Sequence, residues 1–244
     1  MPDEQREEKI KEICEVYAKA KERAKRGERT ISHDEMTGVQ ALERIHPDLP
    51  MQPASPEIPK GRTMYREFEY ERHGTLSWFI NLDVASGKVI FPSYGPTRNE
   101  ADMAIHIQKL IESDPAAVKW HVVTDNLNTH QSETLVRMIA KMEGIPENFL
   151  GIKEKSGILK SMKTRAAFLH DSSHKVVFYY TPKHASWMNQ VEIFLSILVR
   201  KLLKRGSFRS TDDLRDQILA FLEYHNRTMA KPIKWSYTGM KEAA

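Results

Sequence analysis

The sequence predicts an α/β fold: a mixed five-stranded sheet flanked by helices. Three observations point there. β-type runs and helical periodicities follow one another as strand, hairpin, helix, strand, helix, strand, helix, which is the pattern of a sheet with helices packed on it. Two of the strand runs end on acids, Asp34 in RTISHDE and Asp125 in VKWHVVTDN. A third acid, Glu192, falls inside the helical pattern SWMNQVEIFLSILVRKLLKRG.

Taken in order, residues 4–26 read as one amphipathic helix. Ile10, Ile13, Tyr17, Ala20 and Ala24 make its stripe, and Gly27 is the expected C-cap. The strand carrying Asp34 follows, then a short segment, TGVQALERI. Five prolines in residues 47–61 predict an extended loop. A hairpin comes next: TLSWFINLDV, the turn Ala85-Ser86-Gly87-Lys88, and the return KVIFPSY. TRNEADMAIHIQKLIES places Met103, Ile107, Leu110 and Ile111 on one helical face. The Asp125 strand and a helix around residues 131–143 follow. Residues 144–172 show little periodicity. The strand HKVVFYY leads through Thr181-Pro182-Lys183 into the Glu192 helix. The helix TDDLRDQILAFLEYHNR closes the fold. If the first and fourth strands are neighbours, Asp34 lies beside Asp125.

Composition narrows the function. The chain has 244 residues, 40% of them hydrophobic, enough for a substantial core. No run approaches the roughly 18 apolar residues of a membrane span. The charged start MPDEQREEKIKEI is no secretory signal. Cys14 is the only cysteine, which fits a reducing cytoplasm. The net charge of +4 is compatible with nucleic-acid binding. Two basic stretches stand out: Arg200, Lys201, Lys204 and Arg205, and Lys153, Lys155, Lys160, Lys163 and Arg165. Each also reads as an ordinary solvated helix end or loop. No glycine-rich phosphate loop, Cys/His metal cluster or nucleophilic Ser/His/Asp set is present.

The acids carry the chemistry. In the helical pattern Glu192 lies one turn from Met188 and Leu195, so an ionised carboxylate there needs compensation. A buried ion pair with Lys183, His184 or Arg200 would provide it; so would a metal. Three carboxylates from two strand ends and a helix suit a pair of Mg²⁺ or Mn²⁺ ions, hard cations that take oxygen ligands. Such a pair activates water and stabilises the leaving oxygen of a phosphodiester. Asp83 rivals Asp34, but its place before a Ser-Gly turn favours a turn role.

Four stretches carry a family resemblance: ISHDEMTGVQALER, HVVTDNLNTH, YYTPKHASWMNQVEIFLS and LVRKLLKRGSFRS. In their order and spacing the chain resembles the catalytic domain of DDE transposases of the mariner superfamily, in the branch found in bacterial insertion sequences. The resemblance implies a ribonuclease-H-like domain over residues 28–210, a linker helix before it (1–27) and a C-terminal helix and tail after it (211–244). It implies metal-dependent DNA cleavage and strand transfer at TA targets. It sets Asp34, Asp125 and Glu192 as the catalytic, metal-holding residues. The implied partners are DNA and a second transposase chain, in a homodimer or with a partner, at the nucleoid in the cytoplasm. The family's N-terminal helix-turn-helix is not matched, so the expectation is a fragment, one product of a split frame, or a decayed copy. Glu43 stands where an aspartate is commoner, and His33 precedes the first acid. The long gap between Asp125 and Glu192 makes residues 144–172 an expected insertion whose basic residues contact DNA.

Around the acids, His130 is a candidate to support Asp125 or orient a phosphate, or else a surface histidine. Asn126 and Asn189 are placed to bond the acids or the DNA backbone. Trp187 reads as a base-stacking residue or as core packing at the helix start. Two other functions stay open: a non-catalytic remnant that binds DNA or dimerises through residues 4–26, and a ribonuclease-H-type nuclease.

Overall fold

The computed structural model describes residues 6–65 and 68–238. Five strands form one sheet in the order β3-β2-β1-β4-β5. They are β1 (Glu28–Arg44), β2 (Tyr70–Asp83), β3 (Ser93–Gly95), β4 (Lys119–Thr124) and β5 (Val176–Tyr180). β2 pairs antiparallel with β1 and β3; β4 pairs parallel with β1 and β5. The sheet is therefore mixed, as predicted.

The two-residue period of the strands builds a core on each face. On one face Ile31, Trp120, Val122, Val176 and Phe178 pack on α3 (Glu100–Glu112), α4 (Glu133–Met142) and α5 (Met162–Leu169). On the other face Trp78, Ile80 and Leu82 meet α6 (Val191–Leu198) and α7 (Thr211–Thr228). Next to them Val123, Val177 and Tyr179 meet Ile10, Ile13 and Tyr17. The N-terminal helix thus seats its apolar stripe on the sheet, and that stripe is not free to pair with another chain.

Several expectations need correction. In place of the single helix expected over residues 4–26, the described residues form two, α1 (Arg6–Ala18) and α2 (Ala20–Lys25), broken at Lys19. Gly27 ends the second with φ +80°, a left-handed value that favours glycine. TGVQALER is no separate segment. It continues β1, with register shifts between Met36 and Val39 and between Gln40 and Leu42. The hairpin return pairs only at Val89 and over Ser93–Gly95. Asp83 accepts a hydrogen bond from Ser86 in the turn, so its role is structural. Residues 144–172 contain α5, started by a capping box between Ser161 and Thr164.

The Glu192 helix is the largest change. Ser186–Met188 form a 3₁₀ turn, α6 starts at Val191, and Val199–Leu203 form a π-helical turn. Ile193, apolar and within the helical pattern, is 42% exposed. Glu192 is half-buried in the first turn of α6 rather than enclosed in a core helix. An acid in a first helical turn also matches the helix dipole.

Candidate active site

The register of the parallel strands sets the site. Ser32 lies opposite Val123, and each strand runs two residues further to an acid. Asp34 and Asp125 therefore emerge side by side on one face, at the carboxyl end of the sheet. In open α/β sheets this end is where ligands bind.

Asn189 brings the third acid in. It is fully buried. Its amide nitrogen donates to the His33 carbonyl at 2.9 Å and to Asp34 Oδ2 at 3.2 Å. Its carbonyl oxygen accepts from the Ser32 hydroxyl, and that hydroxyl oxygen accepts from the Val191 amide at 2.9 Å. The Tyr17 hydroxyl donates to the Met188 carbonyl at 2.9 Å and accepts from the Gln190 amide at 3.3 Å. Ser32, Asn189 and Tyr17 so clamp the start of α6 against β1, which carries Glu192 to Asp34.

The electrostatics record the meeting. Burial raises the Asp34 pKa to about 7, and the charges of Asp125 and Glu192 push in the same direction. Among the described residues Glu192 has no ion pair; the expected pairs with Lys183, His184 or Arg200 are not formed. The three acids are not among the groups whose ligand atoms all lie within 4.8 Å of one another. Their spread is too wide for one ion to touch all three as they stand. All the donors are carboxylate oxygens, which fits Mg²⁺ or Mn²⁺.

His130 sits behind Asp125 and is fully buried, so it is not a surface histidine. Its Nδ1 lies 2.7 Å from Asp125 Oδ1, and its Nε2 is 3.4 Å from Glu35 Oε1, too misaligned for a hydrogen bond. Burial alone would lower its pKa; the bond to Asp125 and the charge of Glu35 raise it to about 9. Burial would raise the Asp125 pKa, but the imidazolium of His130 holds it below the usual value. Glu35 is lowered in the same way, helped by Arg98, whose Nη1 is 3.0 Å from Glu35 Oε2. His130 is thus the lock on Asp125. Glu35 belongs to this cluster and is a residue that sequence reasoning missed. The alternation HDE was the available signal: it turns His33 and Glu35 to the face opposite Asp34.

The remaining candidates divide. Asn126 is spent on structure: its amide donates to the Thr181 carbonyl and accepts from Gln131. Trp187 is not core. It is 50% exposed and stacks on Trp235, with ring centroids 6.4 Å apart. Lys183 and His184 are exposed in the turn before α6, and His184 adopts φ +57°. Arg200, Lys201 and Lys204 are exposed past α6. Within residues 144–172, Arg165 is buried, donating to the Gln131 and Leu159 carbonyls, so it is withdrawn as a DNA contact. Lys153 lies 3.7 Å from Glu133, while Lys155, Lys160 and Lys163 are exposed.

The profile of a family described as DDE superfamily endonuclease matches residues 47–215. No curated protein sequence gives a significant match. Among solved structures the chain is similar to the Mos1 mariner paired end complex with Mn, at 13% identity and TM-score 0.52 over 92% of this chain and 56% of that one. It is similar to the catalytic domain of Mos1 mariner transposase, at 11% identity and TM-score 0.50 over 91% and 83% of the two chains. The Mos1 strand transfer complex gives 13% identity and TM-score 0.50 over 91% and 56%. The chain therefore spans little more than half the length of the Mos1 chains in the DNA complexes. At these identities the likeness is one of fold.

Proposed function

The chain belongs to the DDE superfamily endonuclease family, and we propose that it is a transposase catalytic domain that cuts and joins DNA through Asp34, Asp125 and Glu192. The observation that carries the reading is the convergence at Asp34: two neighbouring parallel strands and one clamped helix start deliver three carboxylates to one place. Bound there, two Mg²⁺ or Mn²⁺ ions would supply Lewis acidity, to activate an attacking hydroxyl and stabilise the leaving oxygen. Structures of Mos1 complexes with Mn have the same fold, which supports divalent ions of this class.

The protein's own residues do the rest. Asn189 orients Asp34, and His130 orients Asp125 and keeps it ionised. Glu192, without an ion-pair partner, stays free to act as a ligand. Lys183, Arg200, Lys201 and Lys204 are exposed cations placed, with the exposed His184 imidazole, to meet phosphates, which would supply affinity without reading sequence. The fold shared with paired end and strand transfer complexes of Mos1 supports DNA as the substrate, with insertion at TA dinucleotides and work in a dimer as the finer reading. No helix of the described residues is long and apolar enough to cross a membrane. A cytoplasmic site of action at the nucleoid is part of the same proposal.

Nicking of supercoiled plasmid tests it. The native chain is expected to nick with Mg²⁺ or Mn²⁺ and to stop with EDTA. Asp125→Asn and Glu192→Gln should each lose at least 10²-fold in rate while keeping DNA affinity. Full nicking by folded Glu192→Gln would overturn the assignment.

A further inference from the structure

Beneath the three acids, on the opposite face of β1, lies a second cluster. His33 and Glu35 are two residues apart on the strand and so point the same way. They meet His130. Each of the three offers a metal-ligand atom, and these atoms all lie within 4.8 Å of one another. In the same side chains the polar atoms left without a hydrogen bond are His33 Nε2, Glu35 Oε1 and His130 Nε2. His33 and His130 are wholly buried, and the Glu35 side chain is 2% exposed. Buried polar atoms are nearly always hydrogen-bonded; here His33 Nε2 has no partner, and His130 Nε2 and Glu35 Oε1 face each other without a hydrogen bond, so the space between the three calls for an occupant.

The partners of the other atoms leave these three ready to bind. Asn81 Nδ2 donates to the carbonyls of Ile90 and Phe91, so its Oδ1 is the atom 2.8 Å from His33 Nδ1. His33 Nδ1 must then carry the proton, and Nε2 presents a lone pair. His130 Nδ1 faces Asp125 Oδ1. Glu35 Oε2 is held by Arg98, and Oε1 faces His130 Nε2 at 3.4 Å with no hydrogen bond between them. An imidazole that donates its far N–H to an oxygen is the usual posture of a metal-ligating histidine.

We propose that His33, Glu35 and His130 form a second metal site, which takes one borderline transition-metal ion, zinc first, through two imidazole nitrogens and one carboxylate oxygen. Zinc favours this donor set, whereas Mg²⁺ does not. The 3.4 Å between His130 Nε2 and Glu35 Oε1 matches the edge of a tetrahedron with bonds of about 2.0–2.1 Å. The site is distinct from the oxygen-lined one but joined to it, because His130 touches both. An ion held there stiffens the His130–Asp125 contact from behind. A proton on His130 Nε2 is the alternative occupant, facing Glu35.

The test silences the oxygen site first. The chain carrying Asp34→Asn and Glu192→Gln is loaded with Zn²⁺, freed of excess by gel filtration and assayed for metal by mass spectrometry. One equivalent of retained zinc is expected, with at least a tenfold loss of affinity on adding His33→Gln. Since His33→Gln sits in the core and can fail to fold, ¹⁵N-histidine NMR of the folded double variant gives a second readout: zinc should move the Nε2 resonances of two histidines. No retained zinc, zinc retained equally by folded His33→Gln, or unmoved histidine resonances would overturn the proposal.

Discussion

Asp34 is the residue on which the electrostatics turn. Its pKa rises from 3.8 in an unfolded chain to about 7 in the fold, so without metal the folded state holds the proton over that window. Stability must fall as pH rises from about 4 to about 7, by up to roughly 4 kcal/mol. Asp34→Asn removes that cost, and in EDTA its melting temperature should exceed the native one at pH 8 while matching it near pH 4. Equal melting temperatures at pH 8 would contradict the site's geometry. His130 runs in the same direction at higher pH. Its raised pKa contributes stability that is complete below about 6.5 and lost as pH rises through about 9. His130→Gln should flatten the melting curve's pH dependence between those values. At this scale Asp34 and Asp125 were legible as acids in β-type runs, although only β4 stops at its acid while β1 runs on to Arg44. Asn189 was legible as a partner of the acids, and it does bond Asp34; Glu35 was not, because its meaning depends on His130, far away in sequence.

At the scale of elements, the start of α6 decides whether Glu192 arrives. The Ser32–Asn189–Val191 hydrogen bonds and the Tyr17 hydroxyl fix it to β1. Asn189→Ala leaves buried partners unsatisfied and should cost about 1–3 kcal/mol. Nicking should fall further than that stability loss explains, because Glu192 and Asp34 lose their shared anchor; a variant that unfolds more easily yet nicks normally would refute the clamp. Five strands and the main helices could be read from periodicity alone. α5 could not, since MKTRAAFL buries only Arg165 and Leu169 and shows no apolar stripe. β1 was cut short because Gly38 and the register shifts break its alternation. α6 was read as too long because Trp187 and Ile193 are apolar yet exposed. Hydrophobicity says which residues favour burial, while packing decides which achieve it.

On the scale of the whole molecule, helices cover both faces of the sheet and leave its carboxyl end to the acids. The basic residues past α6 and in the insertion lie on separate elements, and phosphate contacts from exposed cations act together. DNA binding should therefore be insensitive to sequence and fall steeply with salt. Replacing Arg200, Lys201 and Lys204 by alanine should reduce the slope of log affinity against log salt by about 2–3; an unchanged slope would move the DNA path elsewhere. The central claim is that Asp34, Asp125 and Glu192 jointly hold divalent ions. Its most direct measurement is Mn²⁺ calorimetry on the native chain and on folded Glu192→Gln at the same pH. The account predicts saturable binding in the native chain that weakens at least tenfold in the variant. Superimposable isotherms would show that the ions, if bound, are held without Glu192, and would contradict it.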